Sequence, residues 1–355
     1  MSTVYVVEAG SRLEKEHQRL LVTLNDEVIL RVPLARVSRV VLVGRAGATT
    51  PALHALLEAG IPLAFVSRSG KLLGQLTPPM PGNLPLRRRQ YERDADAAFC
   101  LRLAAGIVAG KLRNQRTLAA RLARRRPAAP TPAPSPNPSQ GEGDCTHSPA
   151  GDSQDSLRRL TDSVAAAENA PSIAGLLGIE GQAARLYFSL YRRAFPAEWG
   201  FHNRNRRPPR DPINALLSLG YSLLTQNVMT ALEVVGLDPY LGYFHSETYN
   251  RPALALDLVE EFRAPVVDSL VLWVVTRGIL RPTDFQPDEP SGGVVLTDSG
   301  LREFLARFSD KLESEVLVRE LGRRLTYRKL FDWQARNLAR VITGEVADYR
   351  PFRAR

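Results

Sequence analysis

Residues 78–83 read Pro-Pro-Met-Pro-Gly-Asn, and the chain changes character across them. Three prolines and a glycine in six residues suit neither a helix interior nor a central strand, so the stretch reads as a connection. Before it, residues 4–7, 20–24, 28–32 and 40–43 are short runs rich in Val and Leu, with the length and composition of strands. Asn25-Asp26-Glu27 lies between the second and third runs as a hairpin turn. Thr50-Pro51 opens a short helix that stops near Gly60. Residues 61–66 and 71–76 flank Arg68-Ser69-Gly70, a second hairpin signal. Residues 1–82 are therefore expected to form a small β-rich, sandwich-like domain with one short helix. Residues 83–89 are expected to link it to the rest.

After the connection the period becomes helical. Phe99, Leu103, Ile107 and Leu112 share roughly one side of a helix expected over 90–125. Helical patterns return at 156–167, 179–195, 212–228, 255–263, 266–280, 299–317 and 327–343, with 294–296 as an isolated strand. The expected class is α+β: an N-terminal β domain, then a larger, mostly α-helical domain over 90–355. Residues 126–154 are Pro, Ala, Ser and Gly. Such a segment buries too little apolar area to offset its ordering entropy, so it is expected to be a disordered insertion.

The chain has 355 residues, 44% of them hydrophobic, enough for one or two ordinary cores. Its net charge of +10 favours acidic partners, nucleic acid first. Two cysteines, Cys100 and Cys145, form neither a CxxC pair nor a disulfide framework, which suits a reducing cytoplasm. The N-terminal stretch has no secretory pattern. No apolar run reaches membrane-spanning length, and 266–280 carries Asp268 and Arg277.

Four segments carry candidate chemistry. Gly178-Ile179-Glu180-Gly181 puts a carboxylate among small residues at an expected helix start, where it either holds a metal or satisfies the helix dipole. The loop Gly236-Leu237-Asp238-Pro239-Tyr240-Leu241-Gly242-Tyr243-Phe244-His245 delivers one of five histidines, a ligand or a hydrogen-bonded core residue. Asp257 and Glu260 lie three apart and share one helix face, either as ligands or as a solvated acidic face. Taken singly, each segment favours the plainer reading. Together they offer two carboxylates and one imidazole, a set better suited to Mg²⁺ or Mn²⁺ than to Zn²⁺. The fourth segment, 203–212, holds Arg204, Arg206, Arg207 and Arg210 on a proline-stiffened loop, suited to phosphate or simply solvated. Arg87-Arg88-Arg89 and Arg124-Arg125-Arg126 are weaker basic runs. Tyr327, Arg328, Lys329, Gln334, Arg336 and Arg340 mark a late helix that either faces DNA or is ordinary surface.

In this order, the Gly-Ile-Glu-Gly segment, Arg-Arg-Pro-Pro-Arg-Asp-Pro-Ile-Asn-Ala-Leu-Leu, Gly-Leu-Asp-Pro…His and Asp-Leu-Val-Glu-Glu-Phe-Arg resemble the CRISPR spacer-acquisition integrase and endonuclease family. Tyr5–Gly10, Thr49–Leu53, Gly60–Pro62, Phe65–Gly70 and the Tyr327-Arg328…Gln334-Ala335-Arg336 helix agree with it. The likeness covers nearly the whole chain outside 126–154. It implies metal ligands at Glu180, His245 and Glu260, a supporting or catalytic role for Asp257, and weaker claims for Glu261 and Asp268. Arg263 stands where it would meet DNA phosphate. The implied reaction is attack of a DNA 3′-hydroxyl on a phosphodiester at a CRISPR repeat edge. The implied partners are prespacer and repeat DNA, a second copy through the β domains, and a small ferredoxin-like companion protein. The alternatives are a branched-DNA repair nuclease or mobile-element integrase using the same site, and a DNA-binding scaffold without chemistry.

Overall fold

In the computed structural model of the protein, strand β5 (Val37–Val43) is buried on both faces, as its near-continuous apolar sequence requires of a central parallel strand. The structure describes residues 2–68, 70–78, 83–124, 149–205, 208–245, 248–249, 251–289 and 292–354. β5 lies between β1 (Ser2–Val6) and β7 (Leu63–Val66), parallel to both, and β8 (Leu72–Leu76) closes that sheet antiparallel to β7. A second sheet runs β4 (Glu27–Pro33), β3 (Arg19–Leu24), β2 (Arg12–Glu16), β6 (Gly47–Ala48). The β3–β4 turn is Asn25-Asp26, both at positive φ, the geometry that matches strand twist in a two-residue hairpin. Helix α1 (Thr50–Glu58) crosses from β5 to β7.

Alternation along β5 divides its side chains between two cores. Val40 and Leu42 join Val4, Leu13, Leu20, Leu56 and Leu63 between the sheets and α1. Val41 and Val43, with Ala64 and Val66, face the other way into the large core of the helical region. β2 has no apolar run, only Leu13 buried in Arg-Leu-Glu-Lys-Glu, which is why the sequence reading missed it.

The helical region comprises α2 (Leu84–Asp94), α3 (Ala97–Arg124), α4 (Pro149–Glu168), α5 (Ile173–Arg192), α6 (Pro212–Val235), α7 (Ala253–Phe262), α8 (Ser269–Thr276), α9 (Asp298–Glu313) and α10 (Tyr327–Thr343). Residues 84–89, expected as linker, are the first turns of α2, with Asn83 accepting from the Leu86 N–H and proline at a tolerated first-turn position. The single helix expected over 90–125 is two, broken where Asp96 accepts from the Phe99 N–H and starts α3. Residues 149–154, expected within the disordered insertion, are helical, while 125–148 lie outside the described residues, as do 79–82.

Between α7 and α8 the chain makes a π-helical turn, Arg263–Asp268. Pro265 has no N–H for the Glu261 carbonyl, and Asn114 Nδ2 supplies that donor at 2.7 Å. The strand at 294–296 is not isolated. β10 (Gly293–Leu296) pairs antiparallel with β9 (Phe285–Asp288). The helix expected to 317 stops at Glu313, and β11 (Glu315–Val318) pairs with β12 (Arg323–Thr326) in a hairpin the sequence reading missed.

Candidate active site

α3, α5, α7 and the loop after α6 meet at one point. Glu180 comes from the middle of α5, its eighth residue, because Ser172 caps the helix a full turn and more before the expected start. A role at the helix N-terminus is therefore ruled out for it. The loop carrying His245 is held from outside by α2. Gln90 is fully buried, donating to the Asp238 and Leu241 carbonyls at 2.8 and 3.2 Å and accepting from the Asp238 N–H at 2.8 Å. The Tyr243 hydroxyl donates back to the Gln90 carbonyl.

From inside, Asp257 fixes the loop. One oxygen accepts the Tyr243 and Phe244 N–H groups at 2.7 and 3.0 Å. The other accepts the His245 N–H at 2.9 Å and lies 2.7 Å from His245 Nδ1. Gly242 lets the loop pass this close, since a Cβ there would lie 2.7 Å from the Ala253 Cβ and 3.0 Å from an Asp257 oxygen. Asp257 is fully buried and its oxygens are spent on these donors. It positions His245, which is the supporting one of the two roles expected for it. The pairing leaves Nε2 as the free ring nitrogen, the arrangement that orients a metal-binding imidazole.

Nε2 points at Glu260, 3.8 Å from Oε1. Arg263 reaches the same oxygen at 3.1 Å. Lys111, from α3, lies 2.6 Å from Glu260 Oε2 and also pairs with Glu180. Lys111 and Glu260 form a buried floor, whereas Glu180 keeps 22% and His245 16% of its side-chain surface in solvent. Burial opposes ionisation of Glu260, but Arg263, Lys111 and His245 outweigh it and hold the carboxyl at about 2. Lys111 was missed by the sequence reading. The available signal was a lysine four residues after Ile107 on an apolar helix face.

Glu261 and Asp268 do not reach this point. Glu261 is buried against the C-terminal tail, bonded by Tyr349, Gln334 and the Phe352 N–H. Asp268 accepts the Tyr187 hydroxyl at 2.7 Å and the Tyr221 hydroxyl. The Arg263 guanidinium stacks 4.9 Å from the Tyr221 ring centroid and Arg204 5.5 Å from it. Arg204 also donates to Asn214 Oδ1 and Ser218 Oγ, so it is tied into the fold. Arg210 is exposed beside the α6 cap Asp211, and Arg206 and Arg207 lie outside the described residues. On α10, Tyr327 and Gln334 are buried and Arg328 pairs with Glu313, so these three belong to packing.

Among the described residues no three His, Cys, Asp or Glu side chains stand together as a set that could hold a metal ion in this arrangement. The chemistry of Glu180, Glu260 and His245, two carboxylates and an imidazole, is nevertheless that of ligands for a hard cation. An ammonium already stands between the Glu180 and Glu260 carboxylates, where positive charge is compensated, and the oriented imidazole nitrogen faces Glu260.

Fold and site together define an α+β protein whose helical domain carries a carboxylate and imidazole centre on a cationic floor. The family model described as CRISPR associated protein Cas1 matches residues 4–310, and the chain belongs to that family. It is 35% identical to a protein named CRISPR-associated endonuclease Cas1 3 from Thermus thermophilus, over 100% of this chain and 98% of that one. It is 37% identical to a Cas4/Cas1 exonuclease and endonuclease fusion from Geobacter sulfurreducens, over 98% of this chain and 60% of the fusion. A similar fusion from Rhodospirillum rubrum is 35% identical and covered over 56% of its length, so the chain spans less than two thirds of these two relatives. A solved Cas1 protein from Thermotoga maritima superposes with a TM-score of 0.75 at 25% identity, over 97% of each chain. A casposase bound to integration product has the same fold, with a TM-score of 0.81 at 24% identity over all of this chain and 95% of that one. No helix among the described residues is long and apolar enough to cross a membrane.

Proposed function

We propose that the chain is a metal-dependent DNA endonuclease and integrase that inserts short DNA fragments as spacers into a CRISPR array. The observation that carries the reading is the convergence of Glu180, Glu260 and the Asp257-oriented His245 Nε2 on one partly open point beside Lys111 and Arg263. Glu180, His245 and Glu260 would hold Mg²⁺ or Mn²⁺. The chemistry available from such an ion is polarisation of a phosphodiester and stabilisation of charge on the attacking and leaving oxygens.

The chain's own groups do the rest. Arg263 offers a cation to non-bridging phosphate oxygens, and Lys111 holds the Glu180 and Glu260 carboxylates together beneath it. Asp257 holds the imidazole in one tautomer. In strand transfer a DNA 3′-hydroxyl oxygen forms the new P–O bond and gives up its proton. The P–O3′ bond of the target breaks, and that oxygen keeps the electron pair and takes a proton. With water as nucleophile the same site cleaves.

The partners follow from the same reading: prespacer and repeat DNA, a small ferredoxin-like companion protein, and a second copy of the chain. Edge strand β4, with Val28, Ile29 and Leu30 exposed, supports association through the β domains.

The test is strand transfer from a duplex with free 3′-hydroxyls into a supercoiled plasmid carrying a repeat, with companion protein and Mn²⁺ or Mg²⁺. Metal-dependent joining that is lost in Glu180→Ala supports the integrase. Cleavage of branched DNA without joining assigns the site to a repair nuclease. DNA binding with neither activity assigns the chain to a scaffold.

A further inference from the structure

A second cavity, of about 380 Å³, lies along α3 from the candidate active site. Its walls are α3, the π-helical turn, the end of α9, the β11–β12 hairpin and the C-terminal tail. Four cations line it: Arg121, Lys311, Arg324 and Arg353, against one carboxylate, Glu315. None of the four makes an ion pair among the described residues. Arg121, Arg324 and Arg353 are exposed, while Lys311 is half-buried with its amine 5.3 Å from the Tyr327 ring centroid. Burial, and then the charge of Arg121, push the Lys311 amine down to about 8, a cost that a bound anion would relieve.

The neutral polar groups of the walls are already used. Asn114 bonds the Glu261 and Phe352 carbonyls and the Ala354 N–H. Thr117, Ser269 and Ser314 each donate to a backbone carbonyl. What the cavity has left to offer is therefore its four cations, which suit phosphate contact. Arg121 is ten residues beyond Lys111 on α3, about 15 Å along a helix, or roughly four nucleotide rises of one strand.

We propose that this cavity binds the phosphates of the DNA strand flanking the reacting phosphodiester and so fixes its path across α3. The proposal rests on the DNA-processing reading above. It adds a second binding site to it, with Arg121, Lys311, Arg324 and Arg353 as the contacts.

The test is anisotropy of a duplex with a single-stranded 3′ tail, and of the same duplex blunt, titrated with protein in EDTA over a range of KCl. Wild type is compared with the Arg324→Gln/Arg353→Gln double variant, whose two positions are exposed, and an unchanged urea midpoint verifies its fold. The double variant is expected to flatten the salt slope on the tailed duplex by about 1.4, from ~0.7 per single-strand phosphate contact. Its slope on the blunt duplex stays the same. An unchanged slope on the tailed duplex overturns the proposal. If inorganic phosphate or a mononucleotide then raises the Tm of wild type but not of the variant, the cavity belongs to a free phosphate compound. Because the assay contains no metal, failed strand transfer would overturn the proposed reaction without altering this result.

Discussion

Lys111 Nζ lies 2.6 Å from Glu260 Oε2 and also pairs with Glu180, so one ammonium holds two carboxylates that would otherwise repel. A divalent cation must share that space with the amine or displace it. Lys111→Met leaves Glu180 without this cation and Glu260 with Arg263 alone. It is expected to lower the metal-free Tm and to enlarge the rise on adding Mn²⁺. Binding at a hundredfold excess over Kd stabilises by about 2.7 kcal/mol, or roughly 3–4 °C for a chain of this size. An equal rise in wild type and variant would place the metal elsewhere.

Asp257 and His245 differ in what they hold. Asp257→Ala strands three buried N–H groups, of Tyr243, Phe244 and His245, and should cost on the order of 4 kcal/mol. His245→Ala removes a partly exposed ring and should cost about 1 kcal/mol or less. Both should abolish metal-dependent cleavage. Added imidazole should restore some activity to His245→Ala, whose loop is intact, and none to Asp257→Ala. Equal urea midpoints for the two variants would contradict the positioning role.

How much of this was legible in the sequence follows from the range of the forces involved. The strand runs, the Asn25-Asp26 turn and the amphipathic helices are set by neighbours in sequence, and they appear where local pattern puts them. Glu180, His245 and Glu260 were readable as candidates because loop glycines and helix spacing mark them, and the family likeness tied them together. Lys111 was not, because its meaning depends on two carboxylates contributed by α5 and α7. Asn114 is similar: it completes a turn broken by Pro265, 151 positions later. β2 and β12 escaped because their pairing across the sheet, not their own hydrophobicity, makes them strands, and β11 because its apolar run Val316-Leu317-Val318 continues the pattern of the helix before it.

Two glycine positions should respond oppositely to the same substitution. A Cβ at Gly110 would lie 2.4 Å from the Pro351 Cβ, where α3 meets the C-terminal tail. Gly110→Ala should destabilise by about 1–3 kcal/mol through overpacking. At Gly181, inside α5, a Cβ meets no heavy atom within 4 Å. Gly181→Ala should stabilise by about 0.5–1 kcal/mol through helix propensity. Urea midpoints measure both. If Gly181→Ala gains stability yet weakens DNA binding, the open space beside Glu180 is where the substrate comes close. A gain with unchanged binding places the strand elsewhere.

Asp268 sets a pH window of its own. Burial pushes its carboxyl up to about 6, and the Tyr221 and Tyr187 hydroxyls, Arg263 and Arg204 pull it back only in part. The folded pKa therefore lies above the unfolded value of 3.8. A group shifted this way contributes stability that is fully present below the unfolded pKa and is lost as pH rises through the folded one. The stability of wild type relative to Asp268→Asn, which is neutral and of the same shape, should thus fall between pH 4 and about 6.5 and level off above. The shift of about two pKa units bounds the fall at roughly 3 kcal/mol. Urea midpoints of both proteins across that range measure it. A rise of wild type relative to the variant over the same window would mean that the tyrosine hydroxyls and arginines outweigh burial. Asp268 would then be an anchored anion beneath Tyr221, holding Arg263 toward Glu260 by charge.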